Sequence, residues 1–134
     1  GAIVAIFSGV LLERLATRHP GKGLNLVRYF WGGCYVFVLA WWVMAANFDV
    51  AFRVLHPDVP INPGIVKVET NLESESARTA LANSITLTPG TMTVDISEDG
   101  DLYVHWINIS SSDVEEATRE IVGRFEWLLR RIFE

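Results

Sequence analysis

Glu69, Glu73 and Glu75 are three carboxylates within seven residues and a candidate site for a cation. Carboxylates so close together suit a hard divalent cation, which takes several oxygen ligands. Spacing alone makes that a weak signal. Histidines are the other candidates, as acids, bases or ligands. His19 and His56 each precede a proline in a link, and His105 falls on the polar side of an expected strand, so all three read as surface residues. Cys34 is the single cysteine and sits within an apolar run, which leaves no disulfide and no multi-thiolate metal site within one chain. Glycine-rich phosphate loops and zinc-type spacings are absent. No catalytic, cofactor-binding or metal residue is assigned, and the chain is expected not to be an enzyme by itself.

The elements that would carry any such residues begin with Tyr29–Ala46, eighteen residues without a charge. At ~1.5 Å per residue the run covers ~27 Å, close to the ~30 Å of a hydrocarbon core. It therefore reads as a membrane-spanning helix, with Tyr29, Trp31, Trp41 and Trp42 towards its ends, where amphipathic rings meet headgroups. The alternative, a buried helix of a soluble protein, is disfavoured because the rest of the chain has too little apolar mass to surround it. The helix is expected to continue through NFDVAFRVLH, because Val50, Ala51, Val54 and Leu55 recur at helical spacing and Asp49 and Arg53 form an i,i+4 pair. This amphipathic tail is expected at the interface. Ahead of it, Ala2–Leu12 is too short to span and reads as the end of a longer helix, with a re-entrant or buried piece as the alternative. Residues 13–28, ERLATRHPGKGLNLVR, make a basic connector with a turn at His19-Pro20-Gly21.

Charge divides the chain into residues 1–56, with five basic and two acidic groups, and residues 57–134, with six basic and fourteen acidic. An apolar, mildly basic membrane part of 1–56 is thus joined to an acidic domain of 57–134. No basic stripe is available for nucleic acid. The proline-rich PDVPINPG is the stiff boundary.

In the acidic part, Ile65–Thr70 alternates as a strand, and 73–87 reads as a helix with Ala77, Leu81 and Ile85 in line. Thr91–Ser97 is a second strand with Met92, Val94 and Ile96 assigned to one apolar face. Glu98-Asp99-Gly100-Asp101 turns it into a third, Leu102–Ile109, with Leu102, Val104 and Trp106 inward. A single last helix is expected, opened by a Ser112–Glu115 capping box and lined by Val114, Ala117, Ile121, Phe125, Leu128 and Ile132. The fold class is a membrane-anchored α/β protein, membrane helices followed by a small β-α-β-β-α domain with an antiparallel sheet covered on one face.

Ion paths need ionisable groups within the membrane, and neither Ala2–Leu12 nor Tyr29–Ala46 has one. The chain therefore reads as an accessory or scaffolding subunit. Ser8-Gly9 and Gly32-Gly33-Cys34 offer small surfaces for close helix approach. A membrane-anchored interaction module unrelated to ion transport is an alternative.

INPGIVKVET and SITLTPGTMTVDISEDGDLYVHWIN closely resemble the E subunit of multisubunit cation/proton antiporters of the Mrp/Mnh/Pha type, which has relatives in archaeal membrane-bound hydrogenases and sulfur-reducing complexes. The resemblance implies a multi-pass subunit of the cell membrane that assembles or stabilises larger sodium- and proton-moving subunits. The archaeal redox complex is the alternative setting. Partners are then other membrane subunits and lipid, with no cofactor of its own. By the same resemblance Asn62, Pro63 and Gly64 lead into the first strand, and Thr86, Thr88, Pro89 and Gly90 turn the helix into the second. Asp95, Asp99, Tyr103 and His105 dress the hairpin. The resemblance places the acidic domain in the cytoplasm. The basic connector also favours the cytoplasm, yet one full crossing by Tyr29–Ala46 would put connector and domain on opposite sides.

Overall fold

The computed structural model describes residues 26–58, 60–111 and 113–134. Among the described residues seven elements follow one another: α1 (Leu26–Leu55), β1 (Gly64–Val68), α2 (Glu75–Leu87), β2 (Thr91–Ile96), β3 (Leu102–Trp106), α3 (Val114–Ile121) and α4 (Glu126–Phe133). The apolar run and its amphipathic continuation thus form one unbroken thirty-residue helix. Ala2–Leu12, His19 and the connector up to residue 25 lie outside the described residues.

The strands make an antiparallel sheet in the order β1-β3-β2, so the last strand in sequence occupies the middle. Alternation along β3 buries Leu102, Val104 and Trp106, and Val66 and Val68 join them from β1. Ala77, Leu81 and Ile85 of α2 and Ala117, Ile121, Val122, Phe125 and Leu129 near the C-terminus close this core from the same side. Gly100 sits at φ +95° in the β2–β3 turn, a conformation that glycine adopts without a Cβ penalty. A Cβ there would also meet the Arg78 guanidinium at 2.5 Å, and Arg78 donates through Nε to the Leu72 carbonyl at 2.7 Å.

Three sequence expectations need correction. In β2, Met92, Val94 and Ile96 do not share a core face: all three are exposed, and a bulge lies between Thr93 and Asp95. Thr91 and Thr93 instead pair with the inward-facing Trp106 and Val104. Their hydroxyls are satisfied by donating to carbonyls of α2, Thr91 to Ile85 at 2.7 Å and Thr93 to Ala82 at 3.2 Å. The last helix is two helices, broken over residues 122–125. A Cβ at Gly123 would lie 2.6 Å from the Arg119 carbonyl oxygen, a close approach that only glycine permits. Finally, α3 is capped by Asp113, whose Oδ1 accepts from the Glu115 and Glu116 amides at 3.0 and 3.1 Å. Ser112, the expected cap, lies outside the described residues.

Candidate assembly surfaces around the long helix

Apolar residues surround α1 on all sides, so its sequence alone does not say which side meets the rest of the chain. The fold selects one stripe. Tyr35, Leu39 and Trp42 recur every three or four residues and pack against the core of the α/β domain. The Tyr35 hydroxyl is hydrogen-bonded to the Ser84 hydroxyl of α2. Arg124 lies 4.3 Å from the Trp42 ring centroid and Arg131 lies 4.5 Å from that of Trp31, while Arg28 of α1 reaches over Phe133 at 5.5 Å. Trp31 and Trp127 meet edge to face at 6.2 Å. Such cation–ring contacts contribute ~0.5–1 kcal/mol when exposed and more when water is excluded.

The stripe reaches the far end of the helix. Val50 faces Gly90, where an added Cβ would lie 3.6 Å from the valine methyl. Arg53 is held by both oxygens of Asp49, at 2.7 and 3.1 Å, and donates to the Pro60 carbonyl at 2.8 Å. From Arg28 to Arg53 the domain thus follows α1 for ~38 Å at ~1.5 Å per residue. Burial pushes the Arg124 guanidinium below its ordinary pKa, with Glu120 opposing the shift. It stays charged at neutral pH, since arginine starts so far above it.

Opposite this stripe, Leu26, Phe30, Phe37, Met44, Phe48 and Leu55 are all exposed. Together with Gly33, Ala40 and Ala51 they make a face that is free among the described residues, with no charged or polar side chain along the whole helix. At its N-terminal half an open groove runs between Phe30, Cys34, Phe37, Val38 and Trp127. A second apolar surface lies on the uncovered side of the sheet. Ile65 and Met92 flank His105 there, and Tyr103 is partly exposed in the next row.

Residues singled out from the sequence mostly serve the backbone. Thr88 is buried and donates to the Ser84 carbonyl at 2.9 Å, and Thr86 Oγ1 accepts from the Thr93 amide at 3.2 Å. Gly90, at φ +92°, accepts from the Ile107 amide at 2.8 Å, so TLTPGT is a threonine-stapled turn that locks α2 to β2. Asn62 exchanges backbone bonds with Ile107 and Ile109, an isolated bridge that ties the chain ahead of β1 to the segment after β3. Asp95 accepts from the Ile96 amide at 2.8 Å, and Asp99 is exposed in the hairpin turn. His56 packs on Phe52. Glu69, Glu73 and Glu75 do not converge: among the described residues no three His, Cys, Asp or Glu side chains are placed to hold a metal ion. Many carboxylates are committed to structure. Glu126 accepts from Thr70 Oγ1 and the Asn71 amide, Glu134 accepts from the Glu73 and Ser74 amides, and Asp101 pairs with Lys67 at 2.8 Å.

The docking residues Arg124, Trp127 and Arg131 were not singled out from the sequence. The seven-residue interval between the two arginines was the available sign that they share a face.

A family model described as Na+/H+ ion antiporter subunit matches residues 1–132. The chain belongs to this family of antiporter E subunits. Among relatives, the E subunit of the Na+/H+ antiporter of Bacillus subtilis is 33% identical over 135 aligned residues, covering 98% of this chain and 80% of its own. The E1 subunit of the Na+/H+ antiporter of Staphylococcus epidermidis is also 33% identical, with 100% and 81% covered. Among solved structures, a chain of the archaeal membrane-bound sulfane sulfur reductase superposes with a TM-score of 0.76 at 42% identity, over 98% of this chain and 83% of that one. A chain of the Mrp complex from Dietzia sp. DQ12-45-1b gives 0.55 at 27%, over 82% and 100%. Like those E-family chains, this one joins an apolar helix to a mixed α/β domain, and it is a membrane-associated protein.

Proposed function

We propose that this chain is a non-catalytic subunit in the membrane arm of an archaeal-type ion-translocating redox complex, where it helps assemble or stabilise the subunits that move ions. The supporting observation is the match to the sulfane sulfur reductase chain, closer in both identity and superposition than the match to the antiporter chain. The carboxylates tied up in backbone contacts and the apolar faces left free fit a part that packs rather than one that reacts. The second reading, an E subunit of a complex exchanging sodium for protons, is favoured by the family model and the bacterial relatives. Division into a membrane part, 1–56, and an acidic domain, 57–134, belongs to the same proposal. So do a multi-pass topology and a cytoplasmic position for the acidic domain.

Purification of the affinity-tagged full-length protein from its native membranes in mild detergent separates the readings. Co-purifying redox subunits with sulfur-dependent electron transfer support the first. A complex that only exchanges sodium for protons in everted vesicles establishes the second. A chain that elutes alone from gently solubilised membranes overturns both.

A further inference from the structure

We propose that α1 does not itself cross the bilayer but lies flat in one leaflet, with its free face in the acyl region and the α/β domain carried on its opposite side, which leaves the crossings of a multi-pass chain to the part ahead of Leu26. The occupant of that face is lipid. Composition gives a helix long and apolar enough to span, but composition does not orient it. The docked stripe does. Contacts with the domain are distributed from Arg28 and Trp31 through Tyr35 and Trp42 to Val50 and Arg53, along nearly the full helix. Were α1 upright across the membrane, the domain would be drawn into the hydrocarbon beside it, with Glu120, Arg124, Glu126, Arg130 and Glu134 at membrane depth. Ionic groups are strongly disfavoured there.

Turning the helix into the membrane plane removes the conflict. Leu26, Phe30, Phe37, Met44, Phe48 and Leu55 then point down together, and the charged groups of α1, Arg28, Asp49 and Arg53, stay on the domain side or its flank. Tyr29 and Trp41 fall on opposite flanks of the free face, where a flat helix holds amphipathic rings at headgroup level. Trp127, half exposed at the rim of the groove beside Phe30 and Phe37, extends the same level from the domain. A flat α1 also places residues on either side of it in one compartment. The basic connector and the acidic domain then share a side, which a single crossing forbids. The flat placement is the same whether the complex is a reductase or an antiporter.

Depth measurement on the assembled complex tests it. In a Cys34→Ala background, Gly33→Cys, Ala40→Cys, Met44→Cys and Ala51→Cys each place a nitroxide on the free face. Accessibility to oxygen and to a water-soluble nickel chelate is read in phosphatidylcholine–phosphatidylglycerol vesicles. A flat helix gives all four labels the same shallow depth, ~5–10 Å below the headgroups. A spanning helix gives deep labels at 40 and 44 and shallow ones at 33 and 51, which overturns the proposal. Labels shielded from both reagents show that protein covers the face, and also overturn it. Lys22→Cys and Asp99→Cys, outside the face, give a second readout with an impermeant thiol reagent on cells and inverted vesicles. Modification from the same side is expected, and modification from opposite sides refutes a flat α1.

Discussion

Trp106→Ala tests the arrangement of the core most directly. The indole stands at the end of the central strand, opposite Gly64 on one neighbour and Thr91 on the other, and only 8% of its surface is exposed. A buried aromatic of this size removes ~200 Å² from water, and at ~25 cal/mol per Å² its truncation costs up to ~5 kcal/mol. Large-to-alanine core replacements fall at ~3–5 kcal/mol, and the rigid sheet on two sides gives little room for collapse. That is a large share of the ~5–15 kcal/mol that holds a domain together. Urea titration of the full-length protein in dodecyl maltoside, followed by far-ultraviolet circular dichroism, measures it as a lower midpoint at unchanged slope. Trp127→Ala is the internal comparison: this indole is half exposed, so the same area arithmetic gives its loss about half that cost, ~2.5 kcal/mol. A Trp106→Ala cost below ~1 kcal/mol, or equal costs for the two tryptophans, would refute the inward assignment of β3.

Asp113→Ala removes the cap of α3 and lowers stability by ~1 kcal/mol in the same titration, whereas Asp113→Asn retains most of it. Gly123→Ala forces a Cβ against the Arg119 carbonyl and destabilises by ~1–3 kcal/mol, although alanine favours helix; a neutral or stabilising result would show that the break can heal. Lys67 has its pKa raised above 10.5, first by its hydrogen bond to Asp101 and then by that carboxylate's charge. Folding therefore raises the pKa of a cation, so the pair's small contribution is present below the unfolded value and is lost as pH climbs through the folded one. Midpoints measured from pH 9 to 12 should show this loss in the wild type and not in Lys67→Met.

Much of the α/β part was legible because it obeys local periodicity. The alternation of Leu102, Val104 and Trp106, the line of Ala77, Leu81 and Ile85, and the Asp99-Gly100 turn each declare themselves within a few residues. β2 misled because hydropathy treats threonine as an outward residue, whereas Thr91 and Thr93 turn inward once α2 offers carbonyls to their hydroxyls. Gly123 was hidden inside a continuous helical pattern, since a single glycine there is usually tolerated. For α1 the difficulty lay in its uniformity. An all-round apolar helix has no preferred face until distant partners choose one, and Arg124, Trp127 and Arg131 stand more than eighty residues from the aromatic rings they meet. The candidate surfaces were therefore the least readable part of the chain.

The separation between α1 and the helix that covers it also sets an order of events during synthesis. Glu126, where α4 begins, comes 71 residues after Leu55. At ~5–20 residues per second the ribosome needs ~4–14 s to make that stretch. Throughout this interval Trp31, Tyr35, Leu39 and Trp42 have no domain to pack against, and β1 has no central strand to pair with until β3 is made. The nascent helix thus meets the membrane or its insertion machinery with both sides bare. On the flat placement proposed for α1, the domain that later occupies one side acts as a latch: it closes on a helix already at the lipid and fixes which side stays there.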